Sequence, residues 1–195
     1  MTNETISVKD RIIKASKEVF RRYGYVKVSM EDIATATGMG RSSLYHYYES
    51  KRDVFEDVVA EEISEVLDVA IQKISRQNTL EDNFIKYNQV KIKQVNLKLR
   101  EFNHIIQDLR RDSELLYQTR KSVRIKEEKV LKRIILWGIE NNEIPESKIE
   151  DMEVLVSAIM DAFSVFDHEL FLFGKVDKFT SRLKNMTAIL CKWLN

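Results

Sequence analysis

The chain has 195 residues, 44% hydrophobic and 32% charged, with five glycines, one proline and one cysteine. That composition supports a substantial core but holds too few turn residues for a strand-rich domain, so an all-α chain is expected. A single cysteine, Cys191, excludes an internal disulfide and suits a reducing cytoplasm, and no run of about 18 apolar residues is available for a membrane span.

The formal net charge is +1, yet it is unevenly spread: residues 1–52 carry ten Lys/Arg against six Asp/Glu, and residues 53–195 carry 22 against 25. The positive excess falls in the segment that holds the most specific motif, which is where attraction to phosphate would require it.

In chain order, Ser7 caps a first helix that ends near Tyr23, with Asp10 three positions on. Ile12, Ala15, Ser16, Val19, Phe20 and Tyr23 share one face, and Gly24 supplies the stop. A short second helix follows Ser29, with Asp32 at the capping-box position, Ile33 and Ala34 inward, and Gly38 at its end. Gly40 opens a third helix expected over Arg41–Tyr48. Leu44, Tyr45 and Tyr48 would face inward, and Arg41, Ser42, Ser43, His46 and Tyr47 outward.

A long helix begins near Lys51, with an apolar stripe running from Val54 and Phe55 to Ile74, and residues 76–79 break it. Leu80 to about Leu99 is the next helix. A bend over residues 98–101, a short helix Phe102–Arg110 and a long one from Ser113 to about Asn141 follow. Pro145 marks a loop. A helix over Lys148–Phe173 is stopped by Gly174, and Asp177 caps a last helix ending near Leu194, about nine helices in all.

Residues 29–55 read as two short helices joined by a tight glycine-containing turn. The second opens with a basic residue, two hydroxyls and then aromatics, the pattern of a helix presented to a DNA major groove. Gly38, Leu44, Tyr45, Tyr48, Lys51 and Asp53, together with the helix from Ile12 to Gly24, resemble the TetR family of bacterial transcriptional repressors. The motif match covers roughly the first 55 residues, and the rest agrees in layout only. Two positions depart from the family's pattern: Gly40, often Ser, Thr or Glu, and Tyr47, usually His.

The resemblance implies an N-terminal three-helix helix-turn-helix domain, residues 1–52, and a C-terminal helical ligand-binding and dimerisation domain, residues 53–195. It also implies a homodimer on a palindromic double-stranded operator, released by a small-molecule effector. Arg41 is the strongest candidate for reading a base, because its fork matches guanine O6 and N7. Ser42, Ser43, Tyr45, His46 and Tyr47 follow on the same short helix. Lys51 and the backbone at Ser29 and Met30 stand at helix starts suited to phosphate.

Two groups of polar residues interleaved with large apolar ones are candidate effector contacts: Phe102, His104, Ile105 and Tyr117, and Trp137, Met160, Phe163, Asp167 and His168. Their lining would suit an apolar or aromatic compound. Val154 to Leu172 is apolar on more than one face, as is the last helix, so both are expected to pair with a second copy.

His46, His104 and His168 lack metal-ligand spacing, and no nucleophile elbow or phosphate loop is present. Neither an enzyme nor a metal or cofactor is therefore expected. The alternative reading keeps the DNA-binding head but gives the C-terminal domain a protein partner instead of a small molecule.

Overall fold

The computed structural model describes residues 7–173 and 179–195. Among these the elements are α1 (Val8–Lys27), α2 (Met30–Thr37), α3 (Arg41–Tyr45), α4 (Lys51–Ile71), α5 (Leu80–Glu101), α6 (Asn103–Arg111), α7 (Ser113–Glu140), α8 (Met152–Phe173) and α9 (Phe179–Leu194). A single 3₁₀ turn covers Glu146–Lys148. The expected stop at Gly174 and cap at Asp177 lie outside the described residues. Among the described residues, no helix is long and apolar enough to cross a membrane.

The chain divides into two compact units, residues 1–62 with 99–122, and residues 63–98 with 123–195. In the first, three helices start on the same device. A serine accepts from the backbone N–H three residues on, and the aspartate there accepts from the serine's own N–H. The pairs are Ser7–Asp10, Ser29–Asp32 and Ser50–Asp53.

α1 is interrupted at Gly24, whose φ of 80° and ψ of 173° are not helical. Its buried stripe is Ile12, Ser16, Phe20 and Gly24, a strict four-residue spacing. Tyr23, expected inward, is therefore rotated off that stripe and is half exposed beside Arg22. Past the break, the rings of Phe20, Tyr25 and Phe55 meet, with centroids 5.1 Å apart for Phe20–Phe55 and 4.7 Å for Tyr25–Phe55. Ile33, Leu44, Tyr48 and Val54 complete this core. α6 packs on α1 and buries Ile105 and Leu109. The turn before α6 is at Phe102, not over residues 98–101, because α5 stays helical to Glu101 before that ring turns inward.

The second unit is built around Leu67, Phe84, Tyr87, Ile134, Ile135 and Phe166, all essentially inaccessible. Leu80, the first residue of α5, donates its N–H to the Glu143 carboxylate, which ties the Pro145 loop to that helix start. α8 begins at Met152, later than expected. The 3₁₀ turn occupies the preceding residues, and Asp151 caps the helix by accepting from the N–H groups of Glu153 and Val154.

Candidate nucleic-acid interface

α2 and α3 are joined by a turn that needs Gly38. It sits at φ 67°, in the left-handed region, and the N–H of Met39 closes the helix by donating to the Ala34 carbonyl at 3.0 Å. Gly40 then caps α3 without any side-chain hydrogen bond. A Cβ at Gly40 would meet only the Ser43 hydroxyl, at 3.9 Å, so this glycine answers no steric need.

Leu44 is the buried anchor of α3, and Tyr48 plugs the next turn, its hydroxyl donating to Asp57 at 2.9 Å. With those two inside, Arg41, Ser42, Ser43, Tyr45, His46 and Tyr47 are all exposed. Tyr45, expected inward, is 42% exposed because α3 is a single short turn whose only inward position is Leu44. The Arg41 guanidinium lies 5.8 Å from the Tyr45 ring centroid and 3.9 Å from Glu31. Both contacts are at the surface and leave its fork of donors facing solvent.

At the start of α2, Ser29 is exposed but its hydroxyl is engaged with Asp32. The hydrogen bonds from Ser29 hold the Asp32 carboxyl below its ordinary pKa. Met30 is buried, so only its backbone could serve a phosphate. Lys51 is also turned inward. Its Nζ donates to the Tyr25 carbonyl at 2.8 Å and stands over the Tyr25 ring, and burial lowers its pKa against the pull of Asp108.

The expected effector residues fall in both units. In the first, Phe102 and Ile105 are buried, with Lys17 over the Phe102 ring, while His104 and Tyr117 are exposed. In the second, Phe163 lies in an aromatic row with Phe84, Phe166 and Phe179, at centroid separations of 6.3, 6.1 and 4.6 Å in turn. Trp137 is half-buried against Arg133, and Met160 is half-buried. The His168 side chain lies outside the described residues. Among the described residues, no group of three His, Cys, Asp or Glu could hold a metal ion.

Asp167 belongs to a network the sequence did not reveal. Lys91 is buried, and its Nζ lies 2.6 Å from Glu127 and 3.0 Å from Asp167. The Tyr87 hydroxyl donates toward the same Glu127 oxygen at 3.4 Å. Burial alone would lower the Lys91 pKa, but the two carboxylates outweigh it and hold the ammonium protonated. A lysine on an amphipathic helix reads as solvent-facing. The available signal was its spacing from Phe84, Tyr87 and Asn88, which puts it on the buried face.

Residues 12–58 match the family model described as bacterial regulatory proteins, tetR family. Over almost its whole length the chain also resembles solved structures. One is FadR of Thermus thermophilus, a TetR-family transcriptional repressor in complex with lauroyl-CoA. It is 13% identical with a TM-score of 0.68, over 94% of this chain and 93% of that one. A second is a tetR-family transcriptional regulator of Streptomyces coelicolor, 17% identical, TM-score 0.59, over 97% and 82%. A third is a transcriptional regulator of Cytophaga hutchinsonii, 24% identical, TM-score 0.56, over 94% of each chain. At these identities the likeness is one of fold.

Proposed function

We propose that this chain, whose residues 12–58 match the tetR-family model, is a TetR-type homodimeric repressor, released from a palindromic operator by a small apolar or aromatic effector. The observation that carries the DNA-binding part is the exposed row Arg41, Ser42, Ser43, Tyr45, His46 and Tyr47, held outward by the buried Leu44 and Tyr48. Short side chains beside an arginine let a helix approach base edges closely, and the flanking aromatics and hydroxyls supply phosphate partners.

The dimer is supported by a second apolar face on each of the last two helices. α9 buries Phe179, Leu183, Thr187, Cys191 and Leu194 on one side, while Ile189 and Trp193 are 70% and 64% exposed on another. α8 likewise buries Val156, Ile159, Phe163 and Phe166 yet leaves Val154 and Val165 exposed. Exposed apolar stripes on adjacent helices suit a twofold contact with a second copy. Two reading heads then address half-sites about one helical turn apart.

The aromatic row from Phe84 to Phe179 supports an apolar or aromatic effector, and the shared fold of an acyl-CoA-bound repressor makes acyl thioesters a first class to try. Release is then a coupling free energy, in which effector and DNA weaken each other by the same factor. The test is fluorescence anisotropy with DNA from the chain's own upstream region, with and without lauroyl-CoA as first probe. The reading expects selective binding and a loss of about 1–3 kcal/mol in Arg41→Ala, with relaxed sequence preference. Equal affinity for unrelated DNA, or an Arg41→Ala variant that binds as the parent does, would sink it.

A further inference from the structure

We infer that Asp108 is a positioning residue for DNA recognition: from α6 its carboxylate holds the link that runs from the Gly24 break in α1 to the Ser29 cap of α2, and so sets the direction in which α2 and α3 leave that break. The inference rests on the proposed role of α3.

One oxygen, Oδ2 of Asp108, accepts from two successive backbone groups of that link, the N–H of Tyr25 at 2.7 Å and the N–H of Val26 at 3.2 Å. Two consecutive N–H groups pointing the same way make a small anion-binding concavity, and here the anion is a side chain more than 80 residues away in sequence. Gly24 makes the approach possible twice over. Its φ of 80° turns the chain out of α1, and a Cβ there would stand 2.7 Å from Asp108 Oδ2 and 3.3 Å from the His104 Cβ. The opposite side of the link is held by Lys51, through the Tyr25 carbonyl and ring.

Between Gly24 and the Ser29 cap there are only four residues, one of them the buried Val28. Their backbone angles decide how α2, and behind it α3, is aimed. Each free N–H in so short a link would otherwise turn to water, and the link would sample other directions. A charged acceptor on both is the stronger class of hydrogen bond.

The sign of the effect separates positioning from charge. Deleting an acid from a protein that binds a polyanion raises affinity if only charge matters. Positioning requires the reverse. With DNA from the chain's upstream region, Asp108→Ala is expected to bind about tenfold more weakly at fixed salt. The slope of log K against log salt should stay unchanged, since no phosphate contact is lost. Asp108→Asn should recover most of the affinity, because an amide oxygen accepts from the same two N–H groups.

Amide exchange of Tyr25 and Val26 supplies a second readout that does not depend on DNA. Both amides should lose protection in Asp108→Ala while α2 keeps its own. If Asp108→Ala binds as tightly as the parent while Arg41→Ala loses affinity, this inference falls and the role of α3 stands. If Arg41→Ala is also silent, the role of α3 falls. Unchanged protection at Tyr25 and Val26 overturns the clamp in either case.

Discussion

Lys51 Nζ donates to the Tyr25 carbonyl at 2.8 Å and stands 4.3 Å from the centroid of the same residue's ring. The first residue of α4 therefore secures the link that follows the Gly24 break in α1, a role invisible at the start of an exposed-looking helix. Lys51→Ala is expected to lower unfolding free energy by about 1–2 kcal/mol, the scale of one hydrogen bond and one cation–π contact together. Urea denaturation measures it. A side chain that served phosphate alone would change the salt dependence of DNA binding and leave the midpoint where it was.

The buried network around Lys91 should be costly to break from one side. Lys91→Met removes the buried cation that Glu127 and Asp167 share and is expected to lose about 3–5 kcal/mol near neutral pH. The pH dependence follows from the cation itself. The Lys91 pKa is raised, so its stabilisation is complete below the ordinary lysine value and is lost as pH rises through the folded one. Denaturation curves of parent and variant from neutral to strongly alkaline pH test this slope. A Lys91→Met protein with parental stability at neutral pH would show the network to be without consequence.

Ile189 and Trp193 offer the cleanest handle on the proposed dimer, since both are exposed on α9 and neither belongs to its buried stripe. Ile189→Glu with Trp193→Glu should give a folded monomer by light scattering, with parental helicity. It should also bind an operator much more weakly than the parent, because two linked heads gain from each other's proximity. A dimer that survives both changes would place the interface elsewhere.

Cys191 is 9% exposed, and burial pushes its thiol up to about 11. The reactive form is the thiolate, so a disulfide reagent at pH 8 should modify the native protein far more slowly than the urea-unfolded chain. A native rate close to the unfolded one would mean that α9 opens readily.

The head was legible because its devices are local. Ser-x-x-Asp at a helix start, glycine at a left-handed turn and apolar residues at helical spacing act within a few residues of one another, and they appeared at Ser7, Ser29 and Gly38 as written in the chain. Small displacements mark where local rules compete. Pro145 and Asp151 delay α8 to Met152, and the four-residue stripe of α1 leaves Tyr23 outside.

What the sequence determined by itself is an all-helical chain with a helix-turn-helix in its first 55 residues and an arginine, two serines and aromatics on α3. Periodicity and capping are properties of neighbours along the chain, and neighbours are what a sequence displays. Only the tertiary structure decided that α6 joins the compact unit of the head, that Asp108 reaches the backbone of Tyr25 and Val26, and that Lys51 and Lys91 turn inward to partners far along the chain. The reason is physical. A charged side chain has no preferred partner written beside it, and its place is settled by which opposite charge or bare backbone group the packing of distant helices leaves within reach.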